Sequence, residues 1–140
     1  MVLPPVIGHR GAAGSAPENT VAGFRKAKAL GCRWVEFDVR LTADDEPVVL
    51  HDDRLARTTD GRGRVSGLRL AAIRRCDAGA WFHPSFAGER VPRLEEALAV
   101  IWDLGLGANI SRRLLEERDD IGREQCRDRA ILRIPLLCRH

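Results

Sequence analysis

Residues 32–41 constrain this chain more than any other stretch. Trp34, Val35, Phe37, Val39 and Leu41 stand among alternating polar residues, a period of two that predicts a strand. Glu36 and Asp38 fall two apart on that strand, so their carboxylates project from the same face about 7 Å apart. On an inward face they would repel each other and lose hydration unless something positive lay between them. A hard divalent cation with oxygen ligands, calcium or magnesium before zinc, answers that need. A solvated face is the plainer account of an isolated Glu-x-Asp, so the pair gains weight only from its surroundings.

Those surroundings alternate strand with helix. Val6-Ile7-Gly8 is a short apolar run opening into the polar loop His9-Arg10-Gly11-Ala12-Ala13-Gly14. Pro17-Glu18-Asn19-Thr20 supplies helix-start chemistry, and Val21, Phe24, Ala27 and Leu30 follow at helical spacing until Gly31. After a turn at Asp44-Asp45-Glu46 comes a second β-like run, Pro47-Val48-Val49-Leu50-His51. Residues 57–67 are rich in Gly, Thr and Arg and read as an exposed loop or small hairpin, with a short helix near residues 70–76 and an irregular excursion around Trp81-Phe82-His83-Pro84. Leu94, Ala97, Leu98, Ile101 and Trp102 predict another helix, closed by Gly105 and Gly107, and Ala108-Asn109-Ile110 begins a third main strand. The class is therefore α/β with parallel units, either an open doubly wound sheet or part of an eight-stranded barrel.

His9 and His51 lie at the ends of two of these strands, beside Arg10 and Asp52. If the strands are parallel neighbours, both rings face one mouth. A pair of imidazoles near a metal-bound phosphate suits acid and base work at neutral pH, and Arg10 suits a bidentate grip on phosphate oxygens. His83 and His140 are read as structural.

Composition narrows the classes. Of 140 residues, 44% are hydrophobic and 31% charged, the balance of a globular chain with room for one domain. The net charge of +3, almost wholly arginine with Lys26 and Lys28 the only lysines, is too small to argue for nucleic acid. Cys32, Cys76, Cys126 and Cys138 are too scattered for a zinc or redox motif. No apolar run reaches the roughly 20 residues of a membrane span, and Met1-Val2-Leu3-Pro4-Pro5 does not read as a signal peptide, so a cytoplasmic protein is expected.

Taken in order, His9-Arg10-Gly11, Ala16-Pro17-Glu18-Asn19-Thr20, Glu36-Phe37-Asp38-Val39, Val49-Leu50-His51-Asp52 and Val91-Pro92-Arg93-Leu94-Glu95-Glu96-Ala97-Leu98 resemble the glycerophosphodiester phosphodiesterase family. The resemblance covers residues 6–110, with Arg93 where the family usually has Thr. It implies a TIM-type (β/α)8 barrel, here about its first three strands, with residues 52–90 as the family's insertion. By the same resemblance Glu36 and Asp38 are metal ligands, His9 and His51 the acid/base pair, Arg10 the phosphate ligand, and Glu18 and Asn19 supports of the site loop. The implied reaction releases glycerol 3-phosphate and an alcohol such as choline or ethanolamine from a small phosphodiester. A non-catalytic fragment binding metal or phosphate weakly, and a barrel phosphodiesterase of the phospholipase C or D type, are the alternatives.

The family's third strand continues into Glu-x-Lys, whereas here Asn109-Ile110 runs into Ser111-Arg112-Arg113. Residues 1–110 are accordingly expected to form the N-terminal part of the domain, and 111–140 an arginine-rich, frameshifted tail, with a divergent helix at residues 114–118 as the alternative. A barrel of this type needs about 250 residues. A three-strand piece should be marginal in stability and open to self-association through its sheet edges.

Overall fold

A computed structural model describes residues 6–112. The frameshifted tail expected over residues 111–140 lies outside the described residues except for Ser111 and Arg112, which stand in a strand. In chain order the elements are β1 (Ile7–His9), α1 (Val21–Ala29), β2 (Trp34–Leu41), β3 (Pro47–Val49), a 3-10 turn at Val65–Gly67, α2 (Leu70–Ile73), a second 3-10 turn at Pro84–Phe86, α3 (Leu94–Asp103) and β4 (Gly107–Arg112).

Helix boundaries follow local chemistry. Thr20 caps α1, its hydroxyl accepting from Gly23 N at 3.1 Å and donating to Pro17 O at 2.7 Å. Gly31, at φ +88°, carries the chain out of the helix. At α3 the Glu96 carboxylate reaches back to Arg93 N at 3.1 Å, and Gly105 at φ +66° follows its last turn.

β2 is the centre of the sheet. β1 runs parallel to it, Ile7 opposite Trp34 and His9 opposite Glu36, and β4 runs parallel to it from Trp34↔Gly107 to Val39↔Arg112. Three parallel strands joined through helices make β/α units, as the sequence pattern predicts. β3 differs. It pairs antiparallel, Val39↔Val49 to Leu41↔Pro47, because the five residues between β2 and β3 suffice for a hairpin and not for a crossover. The parallel arrangement on which the sequence reading placed His51 is therefore replaced by a hairpin.

The two strand edges of β2 are shared unequally. Trp34 pairs with both β1 and β4, and Val39 with both β3 and β4, so β4 takes one edge while β1 and β3 follow one another along the other. The Gly11 amide donates to Glu36 O at 3.3 Å and the Leu50 amide to Asp38 O at 3.1 Å. The ends of β1 and β3 thus meet head to head beside Glu36 and Asp38.

Alternation along β2 separates core from site. Val35, Phe37 and Val39 are buried with Phe24 and Ala27 of α1, Ala97 and Ile101 of α3, and Ala108 and Ile110 of β4. Phe24 meets Phe37 edge to face, with ring centroids 5.5 Å apart. Glu36, Asp38 and Arg40 project from the opposite face. A second core, built from Val48, Leu50, Leu55, Val65, Ile73, Ala78 and Val91, organises the excursion between β3 and α3. The stretch read as a loop or small hairpin is held there by an antiparallel bridge between Arg54 and Arg64.

Candidate active site

Glu36 and Asp38 stand on the non-core face of β2, where the sequence pattern put them. Asp38 is only 1% exposed. Asn19, also buried, donates Nδ2 to Asp38 Oδ2 at 3.1 Å and accepts the Asp38 amide at 3.3 Å. Asn19 lies in the left-handed region at φ +56°, a conformation asparagine tolerates better than most residues. Its backbone amide donates to Arg10 O at 2.9 Å, tying the loop before α1 to the loop after β1.

Arg10 follows β1 in a strained turn, φ +51°, and Gly11 follows at φ +88°. A Cβ at Gly11 would come within 2.8 Å of the Gly23 backbone, so this loop lies directly on α1. The Arg10 amide donates to Glu36 Oε2 at 3.3 Å and Nη1 donates to Glu18 Oε1 at 3.1 Å. Its Nε sits 3.6 Å from Asp38 Oδ2, buried and without a hydrogen bond. His9, largely exposed, places Nε2 3.8 Å from Glu36 Oε2.

His51 reaches the same group from β3. Arg40 Nε donates to His51 O at 2.7 Å, and His51 Nδ1 lies 2.7 Å from Asp52 Oδ1. The hydrogen bonds of Arg57, with that of His51, outweigh burial and hold the Asp52 carboxyl well below the ordinary carboxylate range. An ionised carboxylate only accepts, so Nδ1 is the protonated nitrogen of a neutral His51 ring and Nε2 is left as its acceptor. Six of the residues singled out in the sequence, His9, Arg10, Glu18, Asn19, Glu36 and Asp38, are thereby in contact with one another, and His51 reaches them through Asp52 and Arg57.

Arg57 joins them and was not foreseen. It donates Nε and Nη2 to Asp52 at 2.7 and 2.9 Å, and Nη1 and Nη2 to Glu18 at 3.1 and 2.7 Å. Burial pushes the Glu18 carboxyl up, but Arg57 and Arg10 prevail and hold it below its ordinary value. Arg57 is held more firmly protonated, chiefly by Asp52 and then by Glu18. Only its setting in an Arg-Thr-Thr stretch after His51 hinted at it, and nothing local to the sequence names its partners.

The residues that could hold a cation are Glu36 and Asp38, with Asn109 and Ser111 opposite them in the β4 register. Among the described residues no group of three or more His, Cys, Asp or Glu side chains is arranged to hold a metal ion. Two carboxylates with neutral oxygens beside them suit a hard cation that completes its shell with water or phosphate oxygens, as magnesium commonly does. The residues present fit such an ion in that way.

Comparison with known proteins places the chain in a family. The glycerophosphoryl diester phosphodiesterase family model matches residues 9–134. The YhdW protein of Bacillus subtilis is 50% identical over 93 residues, covering 66% of this chain and 38% of the relative. A glycerophosphodiester phosphodiesterase of Caldanaerobacter subterraneus is 46% identical over 105 residues, 75% of this chain and 43% of the relative. Among solved structures, an Oleispira antarctica phosphodiesterase in complex with the product sn-glycerol-3-phosphate superposes with a TM-score of 0.80 at 46% identity, covering 81% of this chain and 46% of that one. A glycerophosphodiester phosphodiesterase from Agrobacterium tumefaciens gives a TM-score of 0.75 at 39% identity, with 79% and 47% covered. The chain thus spans less than half the length of these relatives, whose fold is the TIM-type barrel. Among the described residues no helix is long and apolar enough to cross a membrane. With its matching family model, its relatives and its three parallel strands, the chain belongs to the glycerophosphoryl diester phosphodiesterase family.

Proposed function

We propose that this chain supplies the N-terminal part of the active site of a divalent-metal-dependent hydrolase that cleaves glycerophosphodiesters to glycerol 3-phosphate and an alcohol. The observation that carries the reading is the head-to-head meeting of β1 and β3, which brings the strand ends that carry His9, Arg10 and His51 to the stretch of β2 that carries Glu36 and Asp38. The product bound to the Oleispira relative supports the substrate class.

In this reading Arg10 Nε, a buried donor with no hydrogen bond, takes a phosphate oxygen and offsets charge that builds in the transition state. Glu36 and Asp38 would hold the cation, calcium or magnesium by their hard oxygens, and when bound it would supply Lewis-acid stabilisation to phosphate oxygens. His9 and His51 form the acid/base pair: one ring takes the proton of the attacking oxygen, the other gives a proton to the departing alkoxide. His51 works through Nε2, since Nδ1–H is held by Asp52. Glu18 and Asn19 keep Arg10 and Asp38 in place.

A non-catalytic chain that binds phosphate or metal is the second reading, favoured by the neutral Asn109 and Ser111 beside the two carboxylates. Hydrolysis of glycerophosphocholine with calcium or magnesium separates the two. Turnover that disappears in both H9A and H51A supports the first. A folded chain that binds phosphate without turnover supports the second, and turnover surviving in both variants ends the acid/base assignment.

A further inference from the structure

Arg57 lies outside the strands that build the site, yet one guanidinium makes four hydrogen bonds to two carboxylates there. Each carboxylate in turn holds a different working group. Asp52 receives His51 Nδ1 at 2.7 Å, and Glu18 receives Arg10 Nη1 at 3.1 Å. Opposite charges therefore alternate along an unbroken path from Asp52 through Arg57, Glu18 and Arg10 to Asp38, with the His51 ring hydrogen-bonded at its head. Without Arg57, the anions Asp52 and Glu18 would face each other with no cation between them, and both would be free to turn away from their partners.

We propose that Arg57 is a positioning residue that sets two working groups at once, the tautomer and orientation of His51 through Asp52 and the direction of Arg10 through Glu18. The inference rests on the roles given above to His51 and Arg10. Its geometry is anchored by the second core. Leu55 is buried two residues before Arg57, Thr58 and Thr59 are buried just after it, and Thr59 Oγ1 donates to Leu55 O at 2.8 Å. The excursion after β3 thus delivers a rigidly mounted fork to the rim. Lysine cannot replace it, because a single ammonium does not present two planar pairs of donors to two carboxylates.

The 140-residue chain carrying R57Q, R57K, E18Q or D52N tests this by two readouts. Long-range proton–nitrogen spectra of the neutral imidazoles give each ring's tautomer, and titration with inorganic phosphate gives the affinity of the Arg10 grip. The unaltered chain should show His51 as the Nδ1–H tautomer. R57Q and R57K should both give mixed tautomers at His51 and weaken phosphate about tenfold, the effect of about 1.4 kcal/mol. E18Q should weaken phosphate while leaving the His51 ring as it was. D52N should change the ring without weakening phosphate. His83, whose Nδ1 lies 2.8 Å from Ser85 Oγ, is the internal control for general disruption. The proposal is overturned if R57Q leaves the His51 ring unchanged, if R57K restores both readouts, or if the His83 ring changes together with that of His51. If the unaltered chain takes up no phosphate, the phosphate grip of Arg10 fails as a reading, while the response of the His51 ring still decides whether Arg57 positions it.

Discussion

Asn19 and Asp38 satisfy each other twice, side chain to side chain at 3.1 Å and backbone to side chain at 3.3 Å, although 19 residues separate them. Both are almost fully buried, so the pair resolves the cost of placing a carboxylate beside an apolar sheet. N19A removes one of that carboxylate's donors and an acceptor of the Asp38 amide, and unfolding in urea should show a loss of about 1–3 kcal/mol. An unchanged midpoint would mean that the carboxylate finds another donor without Asn19.

Acid should weaken the fold through the Asp52–Arg57–Glu18 group. Both carboxyls titrate lower in the folded chain than their ordinary values of 3.8 and 4.5. Their contribution is complete above those values and is lost as pH falls below them, because the unfolded chain then binds protons that the folded chain does not. The free energy of unfolding should fall steeply across that acid range in the unaltered chain and less steeply in R57Q. Equal slopes would separate the group from stability.

Divalent metal offers a readout independent of turnover. A cation held at Glu36 and Asp38 stabilises the folded chain by about 2.7 kcal/mol when present at a hundred times its dissociation constant. Magnesium or calcium should therefore raise the thermal midpoint, and E36Q or D38N should lose most of the rise. A rise that persists in both variants would put the cation elsewhere.

Behind the site, Phe37 is buried on the opposite face of β2 and packs edge to face on Phe24 of α1. F37A should cost about 3–5 kcal/mol in unfolding free energy. Such a loss would also slacken Glu36 and Asp38, its neighbours in the chain. A cost under 1 kcal/mol would show that α1 and the sheet are only loosely packed.

The parts of this molecule legible in its sequence are those written in short-range period. Alternation along β2 separated Val35, Phe37 and Val39 from Glu36 and Asp38, and both long helices fell where apolar spacing and cap residues put them. What escaped depends on contacts between distant residues. The direction of β3 is set by a link too short for a crossover, and the sequence reading had only supposed a parallel neighbour. Arg57 meets Glu18 across 39 residues, and in sequence it lies in a stretch whose Gly, Thr and Arg content reads as loop. Ser111 and Asn109 could be seen to depart from the resembled motif, but only the register showed that they face the two carboxylates.

The link between β2 and β3 is itself closely wired. Thr42 O accepts from Asp45 N at 3.1 Å, the Thr42 amide donates to Glu46 O at 3.0 Å, and Asp45 takes φ +58°. Adding or deleting one residue there would slip β3 by one position and turn His51 to the other side of the sheet. Exposed loops usually absorb changes in length over generations, but this one is barred from doing so, and lineages of this sequence should gain and lose residues beyond Thr59 instead.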